Sequence, residues 1–182
     1  MTGKLILIVG PSGVGKDTLI DGARHVFGND DRFHFARRAV TRPADAGGED
    51  HEAVSEAELE RRLAAGELFA FWRAHGLAYG VSASIEERLK AGQNVIVNAS
   101  RGEIARMAAR YALVDVITID APPDVVAARL LARGRESGAS LAERRSRPTP
   151  PPVDGVRYAL VMNAGSIEEG VAALVAAIRA AI

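Results

Sequence analysis

The stretch of sequence that decides the fold is Gly10-Pro11-Ser12-Gly13-Val14-Gly15-Lys16-Asp17-Thr18. An apolar run at residues 5–9 precedes it, and apolar residues at helical spacing follow it. A strand, a glycine-rich turn and a helix start in this order are the context of a phosphate-binding P-loop. The backbone N–H groups of such a turn converge on phosphate oxygens, and the helix N-terminus adds partial positive charge. The sequence therefore predicts a nucleotide-binding loop over residues 10–18.

Lys16 and the two residues after it carry the chemistry that we predict for this loop. Lys16 is placed to reach the β- and γ-phosphates of ATP or GTP, which indicates phosphoryl transfer. The residue after this lysine is usually Ser or Thr, whose hydroxyl binds Mg²⁺, but here it is Asp17. A carboxylate is also a hard oxygen ligand, so Asp17 is a candidate Mg²⁺ ligand, directly or through water. Thr18 lies about 100° further around the helix and is the other candidate.

Composition narrows the class of protein. The chain has 182 residues, enough for one well-buried core, and its 23 basic and 23 acidic side chains give a formal net charge of zero. That balance argues against a general nucleic-acid binder. The absence of cysteine excludes disulfides and thiol catalysis. We find neither a signal peptide nor an apolar run of membrane-spanning length, so we expect a cytoplasmic protein that does not bind a membrane.

Apolar periodicity predicts an alternating α/β chain. Strands are expected at residues 4–9, 33–39, 94–98, 114–119 and 158–162, with a short one at 69–72. Helices are expected at residues 16–27, 56–65, 84–91, 102–111, 123–132 and 166–180. Four prolines make residues 146–153 a predicted loop. The β-branched character of the strands favours a buried, mostly parallel sheet.

An arginine-rich segment lies between the first helix and the central sheet. It contains Arg37, Arg38 and Arg42, and Tyr79 follows further along the chain. Guanidinium forks together with a tyrosine hydroxyl can cradle the phosphate of an acceptor substrate. The alternative is a surface patch in which the arginines pair with Asp45, Glu49 and Asp50. We favour the first interpretation because an acceptor region of a kinase would occupy this part of the chain.

A second arginine group begins in the predicted helix at residues 123–132. Arg129 and Arg133 are four residues apart and so share one helix face, and Arg144 and Arg145 follow. On a mobile lid, such side chains could neutralise a transferring phosphoryl group. The alternative is a solvated helix end whose basic residues complement the helix dipole. Spacing alone leaves both interpretations open.

Motifs along nearly the whole chain resemble one family. They are the loop at residues 10–16, Thr41-Arg42-Pro43, Gly48-Glu49, Tyr79-Gly80, Arg129-Leu130 with Arg133-Gly134, and Val161-Met162-Asn163. Together they resemble the guanylate-kinase-like branch of the P-loop kinases. The resemblance implies one domain with a five-stranded parallel core sheet flanked by helices. Its parts would be a core at residues 1–33, 83–132 and 151–182, an acceptor-binding region at 34–82 and a lid at 133–150.

The same resemblance implies roles for individual residues. Arg42 and Tyr79 would hold the acceptor phosphate, and Arg133 and Arg144 would act on the transferring group. Asn163 would lie near the adenine of ATP. ATP and Mg²⁺ are therefore the expected cofactors.

The sequence also departs from the guanylate-kinase pattern at the positions that read guanine. Ala70 stands where the family has a glutamate, and Asn98-Ala99-Ser100 replaces an Asp-x-Asp. Asp45 replaces an arginine, and His51 replaces a tyrosine. Each guanine N–H left buried and unpaired would cost about 1–3 kcal/mol. GMP is therefore not the expected acceptor.

The variant motifs resemble a family of ribose 1,5-bisphosphate kinases of phosphonate breakdown. They occupy residues 10–17, 41–52, 74–80 and 97–101. The resemblance implies phosphorylation of α-D-ribose 1,5-bisphosphate by ATP to give 5-phosphoribosyl 1-diphosphate (PRPP) and ADP. Two acceptor phosphates would need further cations, for which Arg38 and Arg101, with His51 or His75, are the candidates. A nucleoside monophosphate kinase and a non-catalytic guanylate-kinase-like binding module remain the alternatives.

Overall fold

The structure is a computed structural model, and it describes residues 2–45, 48–132 and 150–182. The elements in chain order are β1 (Leu5–Val9), α1 (Lys16–Phe27), β2 (Phe33–Phe35), β3 (Arg38–Val40), β4 (Glu52–Ala53), α2 (Glu56–Ala64), β5 (Leu68–Ala74), β6 (Leu77–Ser82), α3 (Ile85–Lys90), β7 (Asn94–Asn98), a 3₁₀ turn (Arg101–Glu103), α4 (Ile104–Arg110), β8 (Val114–Asp120), α5 (Pro123–Ala132), β9 (Arg157–Met162) and α6 (Ile167–Ala181). They form two sheets of different character.

The larger sheet has five parallel strands in the order β2-β7-β1-β8-β9. Strand β1 lies at its centre, and all five of its residues are buried. A strand covered on both faces needs apolar side chains throughout, which is why residues 5–9 form an uninterrupted apolar run. The predicted α/β fold with a five-stranded parallel core is confirmed. The bounds of α1, β7 and α5 agree with those predicted.

Helices cover both faces of this sheet. Ile6 and Ile8 pack towards α1 and α6, while Leu5 and Leu7 pack towards α3, α4 and the second sheet. Helix α6 begins with a capping box in which the Ser166 hydroxyl accepts from the Glu169 backbone N–H. Because the strands are parallel, their carboxyl ends meet at one edge, and the loops after β1, β7 and β8 lie together there.

The smaller sheet has four strands in the order β4-β3-β6-β5. Strand β6 pairs antiparallel with both β3 and β5, whereas β3 and β4 are parallel. The chain passes from β5 to β6 through His75 and Gly76, whose φ values are 54° and 73°. Positive φ at both central residues is the geometry of a tight type I′ hairpin. The sequence does not predict a strand at β6, because His-Gly is not the usual Asn-Gly signal for such a hairpin.

The predicted strand at residues 33–39 is wrong as a single element. Residues 33–35 form β2 in the parallel sheet, and residues 38–40 form β3 in the smaller sheet. The Ala36 N–H still donates to the Ile96 carbonyl at 2.9 Å, and the chain then leaves the large sheet. The division depends on β6, which pairs with β3 from about forty residues further along the chain. A local apolar pattern contains no information about that partner.

The smaller sheet and α2 fall within residues 38–82, inside the predicted acceptor-binding region. Of the predicted lid at residues 133–150, only Pro150 belongs to the described residues, and Arg133, Arg144 and Arg145 lie outside them. In the described part of the chain, no helix combines the length and apolar character that a membrane crossing requires.

Candidate active site

The P-loop has the backbone geometry of an anion-binding turn. Gly10, Gly13 and Gly15 have φ values of 153°, 85° and 92°. A Cβ added to Gly10 would lie 2.1 Å from the Ile119 carbonyl oxygen of β8, so the loop is closed against the sheet. Gly15 is the N-cap of α1 and carries no side chain to cap the first turn. The N–H groups at the start of α1 are therefore available to an anion.

The side chains of Asn163 and Arg129 both donate hydrogen bonds to a backbone carbonyl of this loop. The Asn163 amide donates through Nδ2 to the Val14 carbonyl at 2.7 Å. Arg129 Nη1 donates to the same carbonyl at 3.3 Å and to the Asn163 carbonyl at 3.2 Å. Asn163 Oδ1 is buried without a hydrogen-bond partner, close to Gly170 of α6. The structure thus places Asn163 under the P-loop, and its expected contact with adenine stays a prediction.

Lys16 is folded back onto the P-loop. Its ammonium donates to the carbonyls of Gly10 at 2.9 Å and Pro11 at 3.0 Å. Burial lowers the pKa of Lys16 to about 8, and the nearby Arg38 and Arg101 act in the same direction against Asp17 and Glu49. The charged ammonium is therefore poorly solvated, which favours its pairing with an anion that enters the cleft.

Asn98 joins the P-loop helix to the acceptor segment. It lies buried at the carboxyl end of β7, and its Nδ2 donates to Asp17 Oδ1 at 2.9 Å and to Glu49 Oε2 at 3.2 Å. Two carboxylates from distant parts of the sequence thus approach the same amide group. Thr18 follows Asp17 in the first turn of α1 and is partly buried.

Arg38 lies in a pair with Glu49 and above two aromatic rings. Its Nε donates to Glu49 Oε2 at 2.9 Å, and its Nη2 donates to Glu49 Oε1. The guanidinium carbon is 4.8 Å from the ring centroid of Tyr79 and 5.6 Å from that of Trp72. The two rings are stacked, with centroids 5.4 Å apart and planes at 6°. Burial raises the pKa of Tyr79, so its hydroxyl stays protonated and can donate.

Arg42 is held by His51. The His51 Nε2 lies 3.1 Å from the Arg42 carbonyl, and its Nδ1 lies 3.2 Å from Arg42 Nη2 and 3.0 Å from the Glu49 carbonyl. Arg42 Nη2 is also 4.0 Å from Glu49 Oε1, and Arg42 Nε is buried without a hydrogen-bond partner. His51 is itself buried and is not among the residues that line the cleft. Its geometry is that of a residue that orients Arg42.

Many of the residues described above line one cleft of about 570 Å³. Of the predicted site residues, the cleft is lined by Gly10, Pro11, Ser12, Lys16, Asp17, Arg38, Arg42, Tyr79 and Arg101. The phosphate-binding interpretation of the arginine segment stays a prediction, and the pairing with acidic residues that the alternative describes is present for Arg37 and Arg38. Arg38 and Arg42 face the cleft, whereas the exposed Arg37 pairs with Asp50 at 2.9 Å on the surface.

Trp72 lines the cleft although no motif in the sequence singles it out. The signal that could have found it is its spacing: it lies two residues after Ala70, the position at which the guanylate-kinase pattern has its guanine-reading glutamate, and so on the same face of β5. The pairing of Glu49 with Arg38 falls within the alternative interpretation of the arginine segment, but the sequence does not indicate which arginine pairs with which carboxylate. This pairing joins a loop residue to a strand eleven positions away.

Comparison with known proteins agrees with this architecture. The family model described as guanylate kinase matches residues 2–181. A guanylate kinase from Anaplasma phagocytophilum has the same fold, with a TM-score of 0.68 at 19% identity over 98% of this chain and 86% of that one.

Relatives found by sequence share a higher identity with this chain than that guanylate kinase does. A protein of Methylobacterium radiotolerans named ribose 1,5-bisphosphate phosphokinase PhnN is 41% identical over 181 residues, 99% of each chain. A bifunctional ribose 1,5-bisphosphokinase-thymidine phosphorylase of Cupriavidus pinatubonensis is 47% identical over 178 residues, 98% of this chain. The chain spans only 29% of that bifunctional protein's length. The chain therefore belongs to the guanylate kinase family, in which its relatives include proteins named ribose 1,5-bisphosphate phosphokinase.

Proposed function

We propose that this protein transfers the γ-phosphoryl group of ATP to the 1-phosphate of α-D-ribose 1,5-bisphosphate, giving PRPP and ADP. The observation that carries the proposal is that two groups of cationic and N–H donor residues line one cleft, and we call them its donor end and its acceptor end. Lys16 and the P-loop amides lie at one end, and Arg38, Arg42 and Tyr79 lie at the other. The names of the relatives support the choice of acceptor. As a consumer of ATP, the protein would act in the cytoplasm.

The donor end would hold the triphosphate of ATP. Phosphate oxygens would replace the two backbone carbonyls to which Lys16 now donates. A magnesium ion in a kinase is typically held by one or two carboxylates, substrate phosphates and water. Asp17, with Thr18 beside it and Glu49 across Asn98, fits that donor set. When bound, Mg²⁺ would neutralise and orient the phosphates of ATP.

The acceptor end would hold the phosphates of the sugar. Arg38, fixed by Glu49, and Arg42, oriented by His51, would present N–H groups to the 1-phosphate, together with the Tyr79 hydroxyl. Arg101 and His75, which also line the cleft, would serve the 5-phosphate. The attacking phosphate oxygen is already anionic, so transfer needs positioning and charge neutralisation rather than a general base. Arg133 and Arg144 of the proposed lid at residues 133–150 would neutralise the transferring group.

Phosphorus NMR on the purified protein tests this proposal. With ATP, Mg²⁺ and ribose 1,5-bisphosphate, we expect the resonances of a sugar diphosphate to appear as the acceptor is consumed. A panel of nucleoside monophosphates under the same conditions should react far more slowly. Conversion of nucleotides alone would instead make the protein a nucleoside monophosphate kinase. A failure to bind ATP in calorimetry would favour a non-catalytic binding module.

The role of Asp17 has its own test. The Asp17→Ala variant should need a higher Mg²⁺ concentration for half-maximal turnover than the unmodified protein. Asp21→Ala, one turn further along the same helix, is the matched control and should leave that concentration unchanged. An unaltered Mg²⁺ dependence in Asp17→Ala would show that this carboxylate serves only the start of α1.

A further inference from the structure

We infer that Trp72 is the specificity-determining residue of the acceptor pocket, and that its indole excludes a nucleobase so that only a base-free sugar phosphate fits. This inference rests on the proposed function and deepens it. It concerns which acceptors reach the phosphate-binding arginines, not how the phosphoryl group is transferred.

The position of Trp72 on β5 is the first observation. Side chains alternate along a strand, so Ala70, Trp72 and Ala74 lie on one face. In the register of the hairpin, Ala70 is opposite Val81 and Trp72 is opposite Tyr79. The indole therefore stands beside the position from which a carboxylate would read guanine, on the same face of the strand. Ala70 and Ala74 on either side of Trp72 carry only methyl groups, so the indole supplies most of the side-chain volume on this face of β5.

The indole is also held in place. Trp72 is 6% exposed and stacks on Tyr79, with the Arg38 guanidinium above both rings. Arg38 is in turn fixed by its bidentate pair with Glu49. Turning the indole aside to admit a base would break the ring stack and expose the faces that Arg38 covers. The volume that Trp72 occupies is therefore not available to a ligand.

The polar groups around Trp72 suit phosphate rather than a base. Of the carboxylates that line the described cleft, Asp17 and Glu49 meet at Asn98 on the proposed Mg²⁺ side, Glu49 also accepts from Arg38, and Glu103 lies 3.5 Å from Arg106. Arg38 above the indole, and Arg101, which also lines the cleft, carry N–H donors and no acceptor. The N–H groups of a base would meet an indole and guanidinium groups here. Phosphate oxygens at the same place would accept from those guanidinium groups.

Graded substitutions test the inference. The ratio of kcat/KM for a panel of nucleoside monophosphates to that for ribose 1,5-bisphosphate should rise stepwise from Trp72→Phe to Trp72→Leu to Trp72→Ala. We expect the alanine variant to raise it by at least about tenfold, the scale on which pocket volume controls specificity. Phe69→Ala is the matched control. Phe69 is a buried aromatic residue of the same strand, lies under Arg110 with 4.8 Å from guanidinium carbon to ring centroid, and does not line the cleft.

The outcomes separate the two proposals. If the unmodified protein converts ribose 1,5-bisphosphate and the Trp72 variants keep the same ratio, the inference is overturned and the proposed function stands. If the unmodified protein does not convert the sugar, the proposed function fails. Should Trp72→Ala fail to fold, the Phe and Leu variants still decide the matter, because a ratio that does not increase with the volume removed contradicts the inference. A Phe69→Ala ratio that rises equally would also overturn it.

Discussion

The two ends of the cleft are built in different ways. The donor end is made mostly of backbone groups from the nine consecutive residues 10–18, and a strand and a helix of the parallel sheet hold it. The acceptor end is made of side chains from three strands and a loop: Arg38, Glu49, Trp72 and Tyr79. A site of backbone groups tolerates substitution nearby, whereas a site of paired side chains depends on each partner. We therefore expect few substitutions to impair binding at the donor end and many to impair binding at the acceptor end.

Replacing Lys16 should have the largest effect, because it removes the one side-chain cation of the donor loop. Lys16→Ala should lower turnover by at least about 10²–10³-fold, as expected for a preorganised donor to the transferring phosphate. Its far-UV circular dichroism should match that of the unmodified protein. Lys90→Ala, an exposed lysine at the end of α3, is the control and should keep full turnover. Unchanged turnover in Lys16→Ala would remove the donor end from the mechanism.

Arg38→Lys tests the acceptor end with the charge retained. A lysine cannot reproduce the planar fork that pairs with Glu49 and stacks on Tyr79. The KM for the sugar acceptor should rise about 10–100-fold, on the scale of one or two charge-assisted hydrogen bonds. The Kd for ATP should stay within about twofold, because the donor loop is untouched. Arg37→Lys, on the exposed neighbour, should change neither constant. An equal loss of ATP affinity in Arg38→Lys would break the distinction between the two ends.

Asn163→Ala tests the brace beneath the donor loop. Loss of the donor to the Val14 carbonyl should weaken ATP binding about tenfold, on the scale of one hydrogen bond, and leave the KM for the acceptor unchanged. Asn94→Ala, which loses a side-chain contact to the Lys4 backbone N–H at the opposite edge of the sheet, is the control. Calorimetric titration with ATP measures both variants. A selective rise in the acceptor KM would assign Asn163 to the other end of the cleft.

The pH dependence of ATP binding should be the smallest effect. Because burial lowers the pKa of Lys16 to about 8, the free protein loses this charge as the pH rises through that value. Affinity for ATP should fall about two- to fourfold between pH 7 and pH 8.5, since binding must then restore the proton. The Lys16→Arg variant, charged throughout this range, should show no such fall. The same lowered pKa makes the free folded protein gain stability from about pH 8 upwards, because the unfolded chain binds more protons there. A pH-independent Kd in the unmodified protein would contradict this account of Lys16.

Local patterns in the sequence were sufficient to predict the strands that are buried on both faces of the parallel sheet. We could predict β1, β7 and the glycine turn before α1 from the sequence, because each is defined by a few neighbouring residues. The break between β2 and β3 is different. It depends on pairing with β6, and the hairpin that supplies β6 lacks the usual turn signal.

By itself, the sequence determined that the protein has a parallel α/β core with a glycine-rich loop between β1 and α1, and which residue types supply the cations near it. Only the tertiary structure decided that Glu49 pairs with Arg38, that Asn98 contacts both Asp17 and Glu49, and that Trp72 lines the cleft. The physical reason is the range of the interactions. Backbone conformation and helix capping depend on near neighbours, whereas ion pairs and ring stacks join side chains that only folding brings together.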